Sequence, residues 1–292
     1  MTALSYVVVT PARDEAENLR RLGACLAAQT VLPVAWLIVE NGSTDATPAV
    51  AAELAAEHEW IRVLSLPGSD AANRGAPIVQ ALHAGIAALE DAPEIFVNVD
   101  ADISMDPDHF ERLLAKFEAD AELGIASGTL FERSRGSWRQ RHLTGTTVVG
   151  GCRAYRWECL QAILPLEERV GWDGIDEFSA NSRGWKTKSF TDVAFCHHRR
   201  EGERDGGTWQ ARRNQGEAAW FVGYRPSYLT LRALWHMRRE PASLGMLVGY
   251  VASGFRRHPR NADRLAREYL RGQQSWRNLR LRAFEALGRR ES

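Results

Sequence analysis

The chain of 292 residues is 45% hydrophobic and 25% charged, which is typical of a globular protein and excludes the disordered and fibrous classes. Its 37 basic and 37 acidic side chains cancel, but residues 199–292 hold 20 Lys/Arg against 9 Asp/Glu, which leaves 17 against 28 in residues 1–198. An acidic body suits a cation site, and a basic tail suits an anionic surface or acceptor. We expect no nucleic-acid partner.

The cysteines and the apolar runs indicate the compartment. The four cysteines, at positions 25, 152, 159 and 196, lack the spacing of a zinc site or a disulfide scaffold, so we expect reduced thiols in a cytoplasmic protein. The N-terminus has neither the charged nor the long apolar region of a signal peptide. The longest nearly uncharged run, residues 242–255, is shorter than the ~20 residues of a membrane-spanning helix, so we expect no such helix.

Strand and helix patterns alternate over the first 130 residues. Apolar, β-branched runs predict strands at residues 6–10, 35–40, 61–66 and 95–100. Helical spacing predicts helices at residues 15–29, from Ser43 or Thr44 (as the cap) to 58, 75–89 and 107–118. Continuous apolar strands between helices indicate an α/β fold, in which a mostly parallel central sheet is covered by helices on both faces.

The second half of the chain is less regular. Residues 129–147 are rich in Arg, Ser and Gly and are interpreted as a long loop. Residues 150–200 show shorter elements, and residues from about 216 onward have the periodicity of amphipathic helices.

Polar and acidic side chains follow three of the predicted strands. The first strand ends in Thr-Pro-Ala-Arg-Asp-Glu (residues 10–15), the second in Glu-Asn-Gly-Ser-Thr-Asp (40–45) and the fourth in Asn-Val-Asp-Ala-Asp (98–102). Ligands of parallel sheets bind beyond the carboxyl ends of the strands. Asp100 and Asp102 are two positions apart and would face the same side in extended backbone. A hard divalent cation, Mn²⁺ or Mg²⁺, takes such oxygen ligands beside a diphosphate.

These three motifs, in this order, resemble glycosyltransferase family 2, the inverting group with the GT-A fold. The resemblance is strong over residues 1–130 and moderate over 150–200. It implies a nucleotide-sugar donor, with Glu40 receiving the base. The donor-binding positions are then Thr10, Pro11, Ala12, Arg13, Glu15, Glu40, Asn41, Gly42, Asp100 and Ala101. The third helix departs from the family, because its Ala-x-Asn-x-Gly becomes Ala-Leu-His-Ala-Gly (residues 81–85), so we interpret His83 as a packing residue.

The resemblance also implies the metal ligands. Asp102 and Asp100 would hold the cation, and a late histidine is a frequent further ligand in GT-A enzymes. The sequence has two, in Phe-Cys-His-His-Arg-Arg (residues 195–200). Adjacent strand residues face opposite ways, so only one can bind, and we favour His198. Imidazole suits Mn²⁺ better than Mg²⁺. Arg199 or Arg200 would then neutralise the departing diphosphate.

Family members place an acidic pair beside the acceptor, and here the segment is Gly-Trp-Asp-Gly-Ile-Asp-Glu-Phe (residues 171–178). Inverting transfer needs a base that takes the proton of the attacking hydroxyl. Asp176 is the first choice and Asp173 the rival, with Glu177 beside them; Asp173 as a simple helix cap stays open. Trp172 either stacks on a sugar or packs in the core. The preceding Gly150 and Gly151 either allow close approach to the sugar or form a plain turn.

We therefore predict a catalytic domain over residues 1–215, with a nucleotide-binding half (1–130) and an acceptor half (131–215), and a helical extension over 216–292. The enzyme would move a sugar from a UDP-sugar, or second a GDP-sugar, to a glycan or lipid-linked acceptor in polysaccharide or glycolipid synthesis. The absence of Gly-x-Gly after the first strand excludes nicotinamide and S-adenosylmethionine enzymes.

Three alternatives stay open. The chain could be a non-catalytic nucleotide-sugar-binding scaffold of a polysaccharide assembly complex. The basic extension, with Arg238, Arg239, Arg256 and Arg257 around residues 242–255, either contacts the inner face of the membrane peripherally or packs on the domain or a second subunit. The third open point is whether the protein forms a homodimer.

Overall fold

The computed structural model describes residues 4–68, 75–134, 137–140, 148–199, 207–238, 240–275 and 278. The strands are β1 (Tyr6–Ala12), β2 (Ala35–Asn41), β3 (Ile61–Leu66), β4 (Ile95–Val99), β5 (Ile103–Met105), β6 (Leu123–Ser134), β7 (Ser137–Gln140), β8 (Cys152–Arg156) and β9 (Lys186–His197). The helices are α1 (Ala16–Ala27), α2 (Thr47–Glu57), α3 (Gly75–Ala87), α4 (His109–Ala119), α5 (Trp157–Ile163), α6 (Trp172–Ser182), α7 (Thr208–Val222), α8 (Pro226–Met237), α9 (Gly245–Phe255) and α10 (Arg264–Gln273).

The strands form one sheet in the order β3-β2-β1-β4-β8-β6-β9-β5, with β7 paired to β6. The first four strands in this order are parallel, as predicted. β8 runs antiparallel between β4 and β6, while β6 and β9 are parallel. The α/β class is confirmed, and the sheet as a whole is mixed.

Helices cover both faces of the sheet, and this explains the continuous apolar run of β1. Tyr6 and Val8 face one apolar core, which includes side chains of α1, α2 and α4. Val7 and Val9 face a second core, which includes side chains of α3, α5 and α6. Because both faces are buried, alternation between apolar and polar residues disappears.

The first four strands and their helices were predicted to within three residues at their ends, apart from the start of α2. That helix begins at Thr47 without a side-chain cap, so neither Ser43 nor Thr44 caps it. Instead the Ser43 hydroxyl accepts a hydrogen bond from the backbone of Asp14 at 3.1 Å. The turn is therefore tied to the neighbouring loop rather than to its own helix.

The predicted loop at residues 129–147 is wrong over most of the part that can be compared. Residues 129–134 belong to β6, and residues 137–140 form β7. This part of β6 gains its ladder from β9 and β7, and such pairing partners can outweigh the local preference of a sequence. Residues 141–147 lie outside the described part of the chain.

The described residues divide into two compact units. Residues 4–180 with 184–199 form the first, and residues 181–183 with those from 207 onward form the second. The domain boundary expected after residue 215 falls inside α7. In the second unit α7 and α9 touch backbone to backbone, since a Cβ added at Gly216 would lie 2.0 Å from the Met246 carbonyl oxygen. No helix in the described ranges is both long and apolar enough to cross a bilayer.

Candidate active site

The Asp-x-Asp motif lies where β4 ends, at the carboxyl edge of the parallel strands. The three residues form a turn rather than extended backbone, with the Ile103 amide donating to the Asp100 carbonyl at 3.2 Å. Asp102 is only 6% exposed. Burial, with the nearby charge of Asp102, raises the pKa of Asp100 to about 7. The turn thus holds two acids in one poorly hydrated place, which favours a cation between them.

His197, not His198, faces this acid pair. Its Nε2 lies 3.1 Å from Oδ1 of Asp102. Burial alone would raise the Asp102 pKa, but the hydrogen bond and charge of His197 outweigh it and hold the pKa below its usual value. The His198 ring instead contacts Ser104 Oγ at 2.7 Å. The sequence favoured His198 as the metal ligand, whereas the structure brings His197, one position earlier, beside the acid pair.

Arg199 joins the end of β9 to the start of α1. Its two terminal nitrogens each lie 2.7 Å from an oxygen of Glu15. Its Nε is 3.7 Å from Oδ2 of Asp102. Glu15, predicted to bind the donor, therefore uses its carboxylate to hold Arg199 beside the acid pair. Arg200 lies outside the described residues.

The loops after β1 and β2 are tied together by Asp14. Its backbone is left-handed at φ 56°, and its Oδ1 accepts from the amide of Thr44 at 2.7 Å and from that of Asp45 at 3.3 Å. These hydrogen bonds lower the Asp14 pKa. Asp14 was not among the predicted donor-binding residues. Its position directly after the first strand, with a second polar turn following the second strand at residues 40–45, was the signal that could have identified it.

Glu40 and Gly42 shape the second loop. One carboxylate oxygen of Glu40 accepts from the Ser43 amide at 2.5 Å. Gly42 has φ 68°, and a Cβ there would lie 2.4 Å from the Cα of Gly68. The turn predicted at this Asn-Gly pair is confirmed, and only glycine fits its conformation and its close neighbour.

Several predicted donor positions turn their side chains inward. Thr10 is fully buried, and its hydroxyl accepts from the indole of Trp36 at 2.9 Å. Ala12 and Ala101 belong to the apolar core. In β1, Thr10 and Ala12 continue the alternation of Tyr6 and Val8 and so point towards the core that includes α1, α2 and α4. The remaining predicted positions are Pro11, half-buried, Arg13, exposed, and Asn41, buried with its amide towards the carbonyl of Pro77.

The glycine turn before β8 lies between two acids. A Cβ on Gly151 would be 3.4 Å from Oδ2 of Asp100, and one on Gly150 would be 3.0 Å from Oδ2 of Asp173. The Asp100 amide also donates to the Gly151 carbonyl at 2.8 Å. Asp173 is half-buried in the first turn of α6. The glycines thus leave room for the two acids. Of the pair Asp173 and Asp176, Asp173 is the one that lies at the carboxyl edge of the parallel strands.

Asp176, the first choice of base, lies in the interior. It is 3% exposed, and its oxygens accept from Arg153 at 2.7 Å and from the Tyr155 hydroxyl at 2.5 Å. Glu177 is also buried and accepts from the Val148 amide at 3.1 Å. These contacts leave Asp173 as the acid of the pair that is open to the edge of the sheet. α6 begins at Trp172, so Asp173 lies in its first turn and Asp176 lies one turn on, on the buried face.

Two further residues have structural roles. Trp172 is buried among apolar side chains, so its packing alternative holds. His83 accepts from the Leu166 amide at 3.1 Å, a structural role as interpreted from the sequence. In the part of the chain that the structure describes, no three His, Cys, Asp or Glu side chains already form a metal-binding group.

Comparison with known proteins identifies the family. Residues 7–201 match the family described as Glycosyl transferase family 2, which covers more than half of the chain. The chain belongs to glycosyl transferase family 2. The match includes the three strand-end motifs, the glycine turn, Asp173 and the His197–Arg199 segment.

Relatives of this family 2 protein include the polyprenol monophosphomannose synthase of Mycolicibacterium smegmatis. It is 30% identical over 174 residues, which cover 54% of this chain and 63% of that relative, so the match spans just under two thirds of its length.

Solved structures share the fold of this family 2 chain. The mannosyltransferase PcManGT from Pyrobaculum calidifontis, in complex with GDP-Man and Mn²⁺, has a TM-score of 0.61 at 15% identity, covering 98% of this chain and 85% of that one. S. aureus TarS in complex with UDP-GlcNAc has a TM-score of 0.60 at 14% identity, covering 99% and 93%. Glucosyl-3-phosphoglycerate synthase from Mycobacterium tuberculosis, in complex with Mn²⁺, UDP and glucosyl-3-phosphoglycerate, has a TM-score of 0.54 at 17% identity, covering 74% and 79%.

Proposed function

We propose that this family 2 glycosyltransferase transfers a sugar with inversion from a nucleotide-diphosphate sugar, with Asp173 as the base. The observation that carries the proposal is the pair of acids on either side of the glycine turn. Asp100 and Asp102 suit the diphosphate end of the donor, and Asp173 suits the acceptor end.

The residues around Asp102 fit a divalent metal. Two carboxylates and one imidazole match the ligand chemistry of Mn²⁺, and nitrogen ligation favours it over Mg²⁺. When bound, the cation would neutralise charge on the donor diphosphate. Asp102, Asp100 and His197 would hold it, and substrate oxygens would complete its ligands. Two of the fold relatives above were solved with Mn²⁺.

Arg199 supports the same chemistry. Its guanidinium is held rigidly by Glu15 and lies 3.7 Å from Asp102. A cation in this position would stabilise the negative charge of the leaving nucleotide diphosphate. Because Glu15 neutralises much of its charge, we propose that Arg199 orients the diphosphate rather than supplying most of its affinity.

The proton transfer is assigned to Asp173. The acceptor hydroxyl attacks the anomeric carbon while the carbon–oxygen bond to the diphosphate breaks, and the hydroxyl proton passes to the Asp173 carboxylate. One displacement of this kind inverts the anomeric centre and needs no covalent intermediate. General-base assistance is worth about 10²–10⁴-fold in rate.

The nucleotide is proposed to be uridine first and guanosine second. Pro11 and Arg13 border the open side of the loop that follows β1. The Glu40 carboxylate closes the turn that follows β2 by accepting from the Ser43 amide. A thermal-shift panel of UDP- and GDP-sugars with Mn²⁺ tests this, because a ligand at about 100 times its dissociation constant adds about 2.7 kcal/mol of stability. Equal shifts in EDTA would contradict the metal assignment.

Hydrolysis of the donor selected by that panel separates an enzyme from a scaffold, since water replaces the unknown acceptor. An enzyme releases the nucleotide diphosphate in a reaction that Asp173→Asn abolishes. A scaffold binds the donor and releases nothing.

The acceptor is proposed to be a glycan or a lipid-linked sugar, reached from the inner face of the membrane. The second unit carries an exposed stripe, defined here as Leu244, Val248, Val251 and Phe255, of which Phe255 is 86% exposed. These residues recur every three or four positions on and just before α9 and so share one face. Their opposite face packs on α7.

Cations flank the exposed stripe at both ends. Arg238 precedes it and Arg256 and Arg257 follow it, whereas residues 241–255 contain no charge. Arg239 lies outside the described residues. An apolar face with terminal cations matches an anionic lipid surface, where each Arg adds about 1 kcal/mol.

Vesicle co-sedimentation tests this contact. The protein should bind phosphatidylglycerol vesicles at low salt and dissociate at high salt. Val251→Glu should abolish binding, and Leu265→Glu, at an exposed apolar site outside the stripe, should not. Failure of the wild type to bind at low salt would refute it. A dimer that Val251→Glu dissociates would identify a second copy as the occupant.

A further inference from the structure

The side chain of Arg153 is fully buried, although a guanidinium keeps its charge at any physiological pH. Asp176 is its ionic partner at 2.7 Å. A buried ion pair is often replaceable by apolar residues without loss of stability, so its presence needs a reason beyond stability. The other hydrogen bonds of Arg153 suggest that reason.

Arg153 donates to two backbone carbonyls on opposite sides of the glycine turn. Nη1 donates to the Val148 oxygen at 2.6 Å, and Nη2 donates to the Asp173 oxygen at 2.7 Å. Val148 lies two residues before the turn, and Asp173 lies at the start of α6. The rigid planar fork of the guanidinium fixes the separation of these two backbone segments.

The surrounding groups fix the guanidinium itself. Tyr155 donates to the second oxygen of Asp176 at 2.5 Å. Glu177 lies 3.8 Å from Nη2 of Arg153 and accepts from the Val148 amide. Val148 is thus held at both its carbonyl and its amide, and β8 is joined to α6 by side chains from both elements.

The spacing that Arg153 sets brings the proposed base next to the glycine turn. Oδ2 of Asp173 lies 3.0 Å from where a Cβ would stand on Gly150, so the carboxylate lies directly beside the backbone of that turn. A displacement of about 1 Å at a reacting group can cost about 10²-fold in rate. We propose that Arg153 is a positioning residue, which sets the distance between the Asp173 carboxylate and the reacting centre. This inference rests on the proposed role of Asp173.

The alternative is that Arg153 only stabilises the fold, and two variants separate the possibilities. Arg153→Lys keeps the charge, but an ammonium is a compact point donor that cannot span both carbonyls and the Asp176 carboxylate. Tyr155→Phe is the matched control, since it removes a buried hydrogen bond from Asp176 and leaves both carbonyls bonded. Both variants should lower the thermal midpoint.

The measurements are the thermal midpoint, the Kd of UDP with Mn²⁺ by calorimetry, and kcat and KM for donor hydrolysis well below both midpoints. We expect Arg153→Lys to have a kcat at least about tenfold below that of Tyr155→Phe, with Kd and KM for the donor within about twofold. Equal kcat values in the two variants would overturn the proposal.

A double variant covers the case in which Arg153→Lys does not fold. Arg153→Met with Asp176→Leu replaces the pair by apolar side chains of similar size. A folded double variant that binds UDP and hydrolyses the donor slowly supports positioning, and one with wild-type kcat overturns it. Asp173→Asn tells the two proposals apart: if it keeps wild-type kcat, the base assignment itself fails.

Discussion

The neighbouring acids Asp173 and Asp176 should respond to the same substitution in opposite ways. Asp176→Asn removes the charge that compensates a fully buried Arg153. Breaking a buried ion pair by removing one partner's charge costs about 3–5 kcal/mol. The asparagine oxygen can still accept from Arg153, so we expect the lower end, about 3 kcal/mol. For a unit of this size that corresponds to a midpoint lowered by about 6–12 °C.

Asp173→Asn should leave stability nearly unchanged, because Asp173 is half-buried and Arg153 bonds to its backbone oxygen, not to its carboxylate. Its rate of donor hydrolysis should fall by about 10²–10⁴-fold, the usual worth of a general base. Thermal denaturation and hydrolysis, measured on both variants at one temperature below both midpoints, give the comparison. A dead, fully stable Asp176→Asn beside an active Asp173→Asn would refute the reasoning.

Three other substitutions test separate features. His197→Ala should weaken Mn²⁺-dependent UDP binding by more than about tenfold in calorimetry, whereas His198→Ala should not. Burial lowers the pKa of His109 to about 4, so its share of stability is complete above the unfolded pKa of about 6.5 and is lost as the pH falls towards 4. Urea titrations should show about 3 kcal/mol more loss between pH 7 and 4 in the wild type than in His109→Asn, and equal losses would contradict this. Gly216→Ala should destabilise the second unit by about 1–3 kcal/mol, and Gly272→Ala, with open space around it, should not.

β1, β2 and β4 could be predicted because each contains a continuous apolar run, which a strand covered on both faces requires, whereas β3, at the sheet edge, is interrupted by Arg62 and Ser65. The end of β6, residues 129–134, could not be predicted, since it is a short and partly polar stretch whose strand depends on pairing with β9 and β7. Local pattern carries no information about such partners.

The candidate site was also predictable where local sequence decides the structure, and not where distant residues decide it. The three strand-end motifs predicted which edge of the sheet holds the acids. The sequence could not assign the two aspartates of α6, because the residue that buries Asp176 is Arg153, 23 positions earlier. Nor could it decide between His197 and His198, because that depends on how the turn at residues 100–103 directs the Asp102 carboxylate.

The contact between Glu15 and Arg199 joins residues 184 positions apart in the chain. At a synthesis rate of about 5–20 residues per second, roughly 10–40 s pass between the two being made. The early strands can assemble in that interval, but neither His197 nor Arg199 can yet stand beside Asp102. Donor binding during translation would therefore begin only once the last strand of the sheet has emerged, and nascent chains stopped before it would be folded in part yet unable to retain the nucleotide sugar.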